Sequence, residues 1–153
     1  MTWKQALEVV TCTASSLAHL HSLGACVSLL LNYRAAALTL ARAGISHGDV
    51  YGHNIMTRAD GTALLGDFGA ATIYRSAAPG EGAGAETALQ LQRIEVRALG
   101  VLMLELLSIV EDGGSSAPRL ALVGESCVNE LCSERPLFAA VVEQLQLLRS
   151  DSL

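Results

Sequence analysis

Residues 54–68, NIMTRADGTALLGDF, constrain the fold of this chain more than any other stretch. An Asp-Gly pair, Asp60 and Gly61, set between two short apolar runs is the strongest short-range mark of a β-hairpin. A hairpin folds its ends together, so it carries whatever precedes Ile55 to whatever follows Leu65. Ahead of it stands HGDVYGHN, residues 47–54, and behind it GDFGAA, residues 66–71. Asp49 and Asn54 lie five apart in a loop whose turns Gly48 and Gly52 ease, and Asp67 follows Asn54 by thirteen. The reversal predicts that Asp49, Asn54 and Asp67 gather around one small volume.

Outside this ribbon the apolar pattern is helical. From Trp3 to about Leu23, the residues Leu7, Val10, Ala14, Leu17, Ala18 and Leu20 recur at three and four, which predicts an amphipathic helix ending near Gly24. Residues 25–43 read as a second helical stretch closed by Gly44. SAAPGEGAGAE, residues 76–86, reads as a loop without regular structure. Residues 86–110 give a long helix, apolar nearly all round from Ala98 onward, which belongs at the centre of a domain. EDGGSSAP is a linker or loop, and residues 119–148 hold two more helices split at CSERP, where Pro136 suits a first helical turn. A chain of 153 residues has the length of one domain and hides roughly 70% of its unfolded surface. With aromatics at 4%, the core must be built from Leu, Val and Ala. The expected fold class is mainly α with a small β-hairpin, one domain over residues 1–153. LAHLHSLG and LTLARAG both look like the helix end that leads into ISHGD, so residues 25–44 read as an insertion into that junction.

Several functions are argued against. A formal net charge of −5 leaves no basic footprint for nucleic acid, and no cluster of Lys or Arg reads as a lipid-binding patch. ACVSLLLNY and ALGVLMLELLSIV are greasy, but Arg34 interrupts the first and Glu105 the second. Both fall short of the roughly 20 residues a bilayer span needs, so no membrane partner is expected. The start MTWKQALEVV carries an acid and lacks the basic-then-apolar order of a secretory signal, which points to a cytoplasmic location. Cys12, Cys26, Cys127 and Cys132 show no C-x-x-C pair and no Cys/His ligand spacing, so reduced, buried thiols are expected rather than zinc or a disulfide framework. His19, His21 and His53 lack a second ligand at metal spacing and read as surface or satisfied core residues.

Oxygen-bearing side chains around one volume suit Mg²⁺, whose octahedron is shared between hard oxygen ligands and substrate phosphates. In phosphoryl transfer the protein mostly positions groups and neutralises charge, so it needs one acid near the acceptor hydroxyl and oxygen donors on the metal. With these motifs the sequence resembles the protein-kinase family. HGDVYGHN is similar to the catalytic loop H-x-D-x-x-x-x-N, and Asp67, Phe68 and Gly69 are similar to D-F-G, in the same order and at matching spacing. IEVRALGVLMLELL is similar to the central helix of the kinase large lobe, and CVNELCSERPLFAAVVEQL to its closing region. The resemblance implies a protein-kinase-like large, C-terminal lobe working with ATP and Mg²⁺ on a protein substrate. It implies Asp49 as catalytic base, Asn54 and Asp67 as Mg²⁺ ligands, and Met56 as an apolar contact beneath the adenine. His47 then has a structural role, and Phe68, Leu102 and Leu106 are packing residues.

The departures are informative. Gly48 stands where most protein kinases have Arg, Tyr51 where serine/threonine kinases usually carry a phosphate-contacting Lys, and Glu95 where an Asp usually starts the central helix. No A-P-E follows the loop, which leaves Glu81 and Glu86 as candidates to pair with Arg135. Ahead of the catalytic loop there is no Gly-rich phosphate loop, no V-A-I-K lysine and no partner glutamate helix, although kinase catalysis needs that Lys–Glu pair. The resemblance therefore covers the large lobe, and turnover is expected only with a small lobe or a partner in its place. Two other readings of the same residues remain open: a non-catalytic pseudokinase scaffold, and a small-molecule phosphotransferase of the aminoglycoside or choline kinase type, where HGD also carries Gly.

Overall fold

Helix α1, Trp3–Leu30, begins with a reciprocal cap. The Thr2 amide donates to Gln5 Oε1 (2.9 Å) and the Gln5 amide to Thr2 Oγ1 (3.3 Å), which satisfies N–H groups that a first helical turn leaves without intrahelical partners. The computed structural model describes residues 1–30, 43–75, 83–111 and 117–151. The stripe of Leu7, Val10, Ala14 and Leu17 is buried, and the hydroxyls of Thr11 and Thr13 inside it donate to the carbonyls of Leu7 and Val9. α1 runs through Gly24, where the pattern put its end. A glycine inside a helix costs only about 1 kcal/mol relative to Ala and, with no proline after it, does not stop the helix. Ala43 and Gly44, read as the end of a second helix, belong instead to strand β1, Ala43–Ser46. Residues 31–42, most of that helical reading and of the proposed insertion, lie outside the described residues.

Strands β2, Ile55–Thr57, and β3, Ala63–Leu65, form the expected hairpin, with Ile55 opposite Leu65, Met56 opposite Leu64 and Thr57 opposite Ala63. Gly61 stands at φ +91° in the turn, and Asp60 Oδ1 accepts from both the amide and the hydroxyl of Thr62. A second ribbon was not expected. It pairs β1 antiparallel with β4, Thr72–Arg75, and sets Gly44 opposite Tyr74 and Ile45 opposite Ile73.

Helix α2, Ala83–Ser108, starts inside the segment that composition marked as loop. It buries Val96, Leu99, Leu102 and Met103, while Glu105, the charged residue within its apolar second half, is exposed. Helix α3, Ala117–Cys127, and helix α4, Phe138–Ser150, complete the fold. Pro136 precedes α4 rather than entering its first turn. The cap comes from another helix, because the Phe138 amide donates to Oε1 of Gln92 on α2 (2.9 Å). All four helices contribute to one core that includes Leu17, Leu99, Met103, Leu120, Phe138 and Leu145, and the inward hairpin residues Ile55 and Leu65 pack against it. The described chain is thus mainly helical with small antiparallel ribbons. Among the described residues no helix is long and apolar enough to cross a membrane.

Candidate functional site

Gly66 joins the hairpin to the loop before it at both of its backbone groups. Its amide donates to the Asn54 carbonyl (2.8 Å) and its carbonyl accepts from His47 Nε2 (2.8 Å). The residue ahead of Asp67 is therefore bonded to both ends of the 47–54 loop. The hairpin alone would give the first bond; the buried histidine adds the second.

Asn54 fixes Asp49, since its Nδ2 donates to the main-chain oxygen and to Oδ2 of Asp49, each at 2.9 Å. That orientation leaves the Asn54 amide oxygen on the other side of a planar group, as an acceptor. Asp67 sits in the left-handed region at φ 53°, ψ 78°, and its Oδ1 accepts from the Gly69 amide (3.1 Å). Asp tolerates this region better than most residues because its short side chain can bond locally. Asp49 and Asp67 are exposed and Asn54 is half-buried.

His47 is wholly buried. Its Nε2–H donates to Gly66, and Nδ1 then accepts from the Asp49 amide (3.4 Å), so both ring nitrogens are engaged within the fold. Phe68 packs on this imidazole with the ring centroids 4.8 Å apart and the planes tilted, and it remains 51% exposed. Tyr51 stacks on His53 at 4.7 Å.

Gly48 stands at φ +79°, and a Cβ there would lie 2.6 Å from the Ala70 carbonyl oxygen. Its amide donates to Glu95 Oε1 (2.7 Å), which also accepts from Ser46 Oγ (3.0 Å). Oε2 of Glu95 accepts from His21 Nε2 (2.7 Å), and His21 Nδ1 is hydrogen-bonded to the Tyr74 hydroxyl. Glu95 is only 4% exposed. Burial pushes its carboxyl up, but the bonds from His21 and from the Gly48 and His47 amides outweigh that and hold it below the usual value. The sequence singled out Glu95 only as a departure and gave His21 and Tyr74 no part in the site. The available signal was a polar side chain on an otherwise apolar helix face.

On the hairpin, Ile55 and Leu65 face the core, which turns Met56 and Leu64 outward at 60% and 39% exposure. A half-buried antiparallel ribbon ordinarily turns polar residues outward. Here that face is apolar, and it is carried on the residues between Asn54 and Asp67. Arg135 does not pair with Glu86: its guanidinium donates to the carbonyls of Asn129 (2.7 Å) and Arg93 (3.4 Å), while Glu86 accepts from Gln90 (3.2 Å). The other candidate, Glu81, lies outside the described residues.

Among the described residues, no group of three or more His, Cys, Asp or Glu could hold a metal ion by itself. The carboxylate of Asp67 and the amide oxygen of Asn54 make a poor cage by themselves but are the donor types Mg²⁺ takes, since it is ordinarily held by one or two carboxylates together with phosphates and water. Neither a scan against protein-family models nor a search of curated proteins finds a match for this chain, so function has to be read from these residues.

Proposed function

We propose that this chain supplies the ATP- and Mg²⁺-binding face of a protein-kinase-like large lobe that transfers a phosphoryl group to a protein hydroxyl. The observation that carries the reading is the Gly66 junction, which sets Asp67 beside a loop where Asn54 already holds Asp49. Asp49 has one carboxylate oxygen bonded to Asn54, and its other oxygen takes the acceptor's proton as general base. Asn54 and Asp67 would hold Mg²⁺ through side-chain oxygens, and the chemistry it would supply there when bound is neutralisation of charge on the transferred group. Met56 and Leu64 offer the apolar surface for an adenine ring, with Met56 directly beneath it. His47 and Glu95 keep the loop in place without touching substrate.

The chain has one lysine, Lys4. It lines a cavity with Asp60 and Gly61 at the hairpin tip, at the other end of the ribbon from Asn54 and Gly66. No lysine of this chain therefore serves the nucleotide phosphates, which is why turnover needs a small lobe or a partner in its place. The same observation favours a second reading for the chain by itself, a scaffold that binds nucleotide without turning it over.

Calorimetric titration with ATP, in Mg²⁺ and in chelator, tests the proposal. Asp67→Ala is expected to weaken Mg²⁺-dependent binding at least about tenfold, or about 1.4 kcal/mol. Asp49→Ala should leave binding almost unchanged, because a base contributes to transfer rather than affinity. Equal affinity for wild type and Asp67→Ala would remove the metal role and with it the phosphotransferase reading. With a completing lobe added, phosphate should appear on peptide; its appearance on an amino alcohol or sugar instead would replace the acceptor class.

A further inference from the structure

We propose that Tyr74 is a positioning residue for the Asp49 loop and acts on it through His21 and Glu95. The role of Asp49 rests on the function proposed above, whereas the coupling is a property of the fold alone. β1 places Gly44 directly opposite Tyr74, and a Cβ on Gly44 would collide with the Cζ and hydroxyl oxygen of that ring. Only glycine lets the phenol lie across β1 in this way. The hydroxyl thereby reaches α1, where it bonds to His21 Nδ1, with the two rings 5.6 Å apart. The His21 side chain is almost completely buried and its ring also rests on Phe138 at 5.1 Å, so the imidazole has little freedom to turn away.

The direction of each bond follows from the chemistry of its partners. An ionised carboxylate only accepts, so Nε2 of His21 carries the hydrogen that goes to Glu95. With that hydrogen on Nε2, Nδ1 is the ring nitrogen that accepts from the Tyr74 hydroxyl. Glu95 completes the chain by accepting from the Gly48 amide and the Ser46 hydroxyl. Buried hydrogen bonds in series polarise one another, so a change in the phenol is felt at the amide. Gly48 adjoins Asp49, and β4 begins just after the turn that holds Asp67. Tyr74 thus supplies a second tie between the two acids, separate from the His47–Gly66 bond.

Nuclear magnetic resonance of the chain without nucleotide tests this. Tyr74→Phe keeps the ring over Gly44 and removes only the hydroxyl. The His21 ring nitrogens, the Glu95 carboxyl carbon and the backbone nitrogens of Gly48 and Asp49 are all expected to shift, while those of Thr57 and Ala63 in the hairpin stay in place. Replacing Tyr74 by 3-fluorotyrosine, a stronger acid of nearly the same shape, should move the same resonances in the opposite direction and serves if the Phe variant does not fold. A sign reversal of this kind does not arise from a purely structural role. Shifts that stop at His21, or that have the same sign in both variants, would overturn the proposal. A wild-type chain that binds no Mg²⁺-ATP would sink the phosphotransferase reading, while these shifts still decide the coupling.

Discussion

At Gly48 the backbone stands at φ +79°, and the space that a Cβ would take is filled by the Ala70 carbonyl oxygen. The amide of the same residue is held by Glu95. An L-residue placed here meets left-handed strain of roughly 1–2 kcal/mol and a main-chain collision on top of it. Any side chain, however long, would begin from the same clash. Gly48→Ala is expected to destabilise the chain by about 2–3 kcal/mol, from that strain plus a weakened charge-assisted bond to Glu95. Gly52 provides the control, since a Cβ there would meet nothing within 4 Å and its φ lies outside the left-handed region. Gly52→Ala should stay within about 0.5 kcal/mol of wild type. Urea denaturation compares the two, and equal costs would show that the loop is not clamped between Glu95 and Ala70.

The hairpin has two faces with different tasks. Ile55 and Leu65 pack on the core, whereas Met56 and Leu64 face away from it. Ile55→Ala should therefore cost about 2 kcal/mol through lost burial. Met56→Thr with Leu64→Thr should change stability little, because Thr suits a strand and the positions are largely open. If an adenine rests on this face, the double variant weakens ATP binding about tenfold with the denaturation midpoint unchanged; unaltered affinity would place the nucleotide elsewhere. This hairpin was legible from the sequence because its signal is local: Asp60 and Gly61 between apolar runs. The gathering of Asn54 with the residue before Asp67 followed from it. The β1–β4 ribbon was not legible, since Ile45 and Ile73 are far apart in the chain and no turn signal links them. The end of α1 was misplaced for a related reason, as Gly24 carries only a weak local preference against helix. The cap of α4 escaped notice because it comes from Gln92 on a different helix, and the Glu95 network because its members belong to α1, α2, β1, β4 and the loop.

That network makes the stability of the whole molecule depend on two ionisations at opposite ends of the pH scale. Glu95 is pushed up by burial and pulled down further by its donors, so its carboxyl lies below the ordinary value. Its charged form is thus favoured by folding. Its contribution is complete above the unfolded value of about 4.3 and disappears as pH falls through the lower folded value. Tyr74 has the opposite sign. Burial first, and then the charge of Glu95, raise its phenol from 10.0 to about 12. Folding favours the neutral form, so its contribution is complete below pH about 10 and disappears as pH climbs toward the folded value. Between these limits neither group changes its charge, and their joint contribution is flat. Glu95→Gln should lower stability at pH 7 by about 2 kcal/mol, the worth of bonds to a charged group, and its gap from wild type should close as the medium becomes acid. Tyr74→Phe should leave the acid limb intact and remove the part of the alkaline loss that belongs to the phenol. Urea midpoints from pH 3 to 11 measure both limbs. A gap between wild type and Glu95→Gln that stays constant down to pH 3 would mean that Glu95 is not held charged inside the fold, and the joint it makes between α1, α2 and the Asp49 loop would then rest on packing instead.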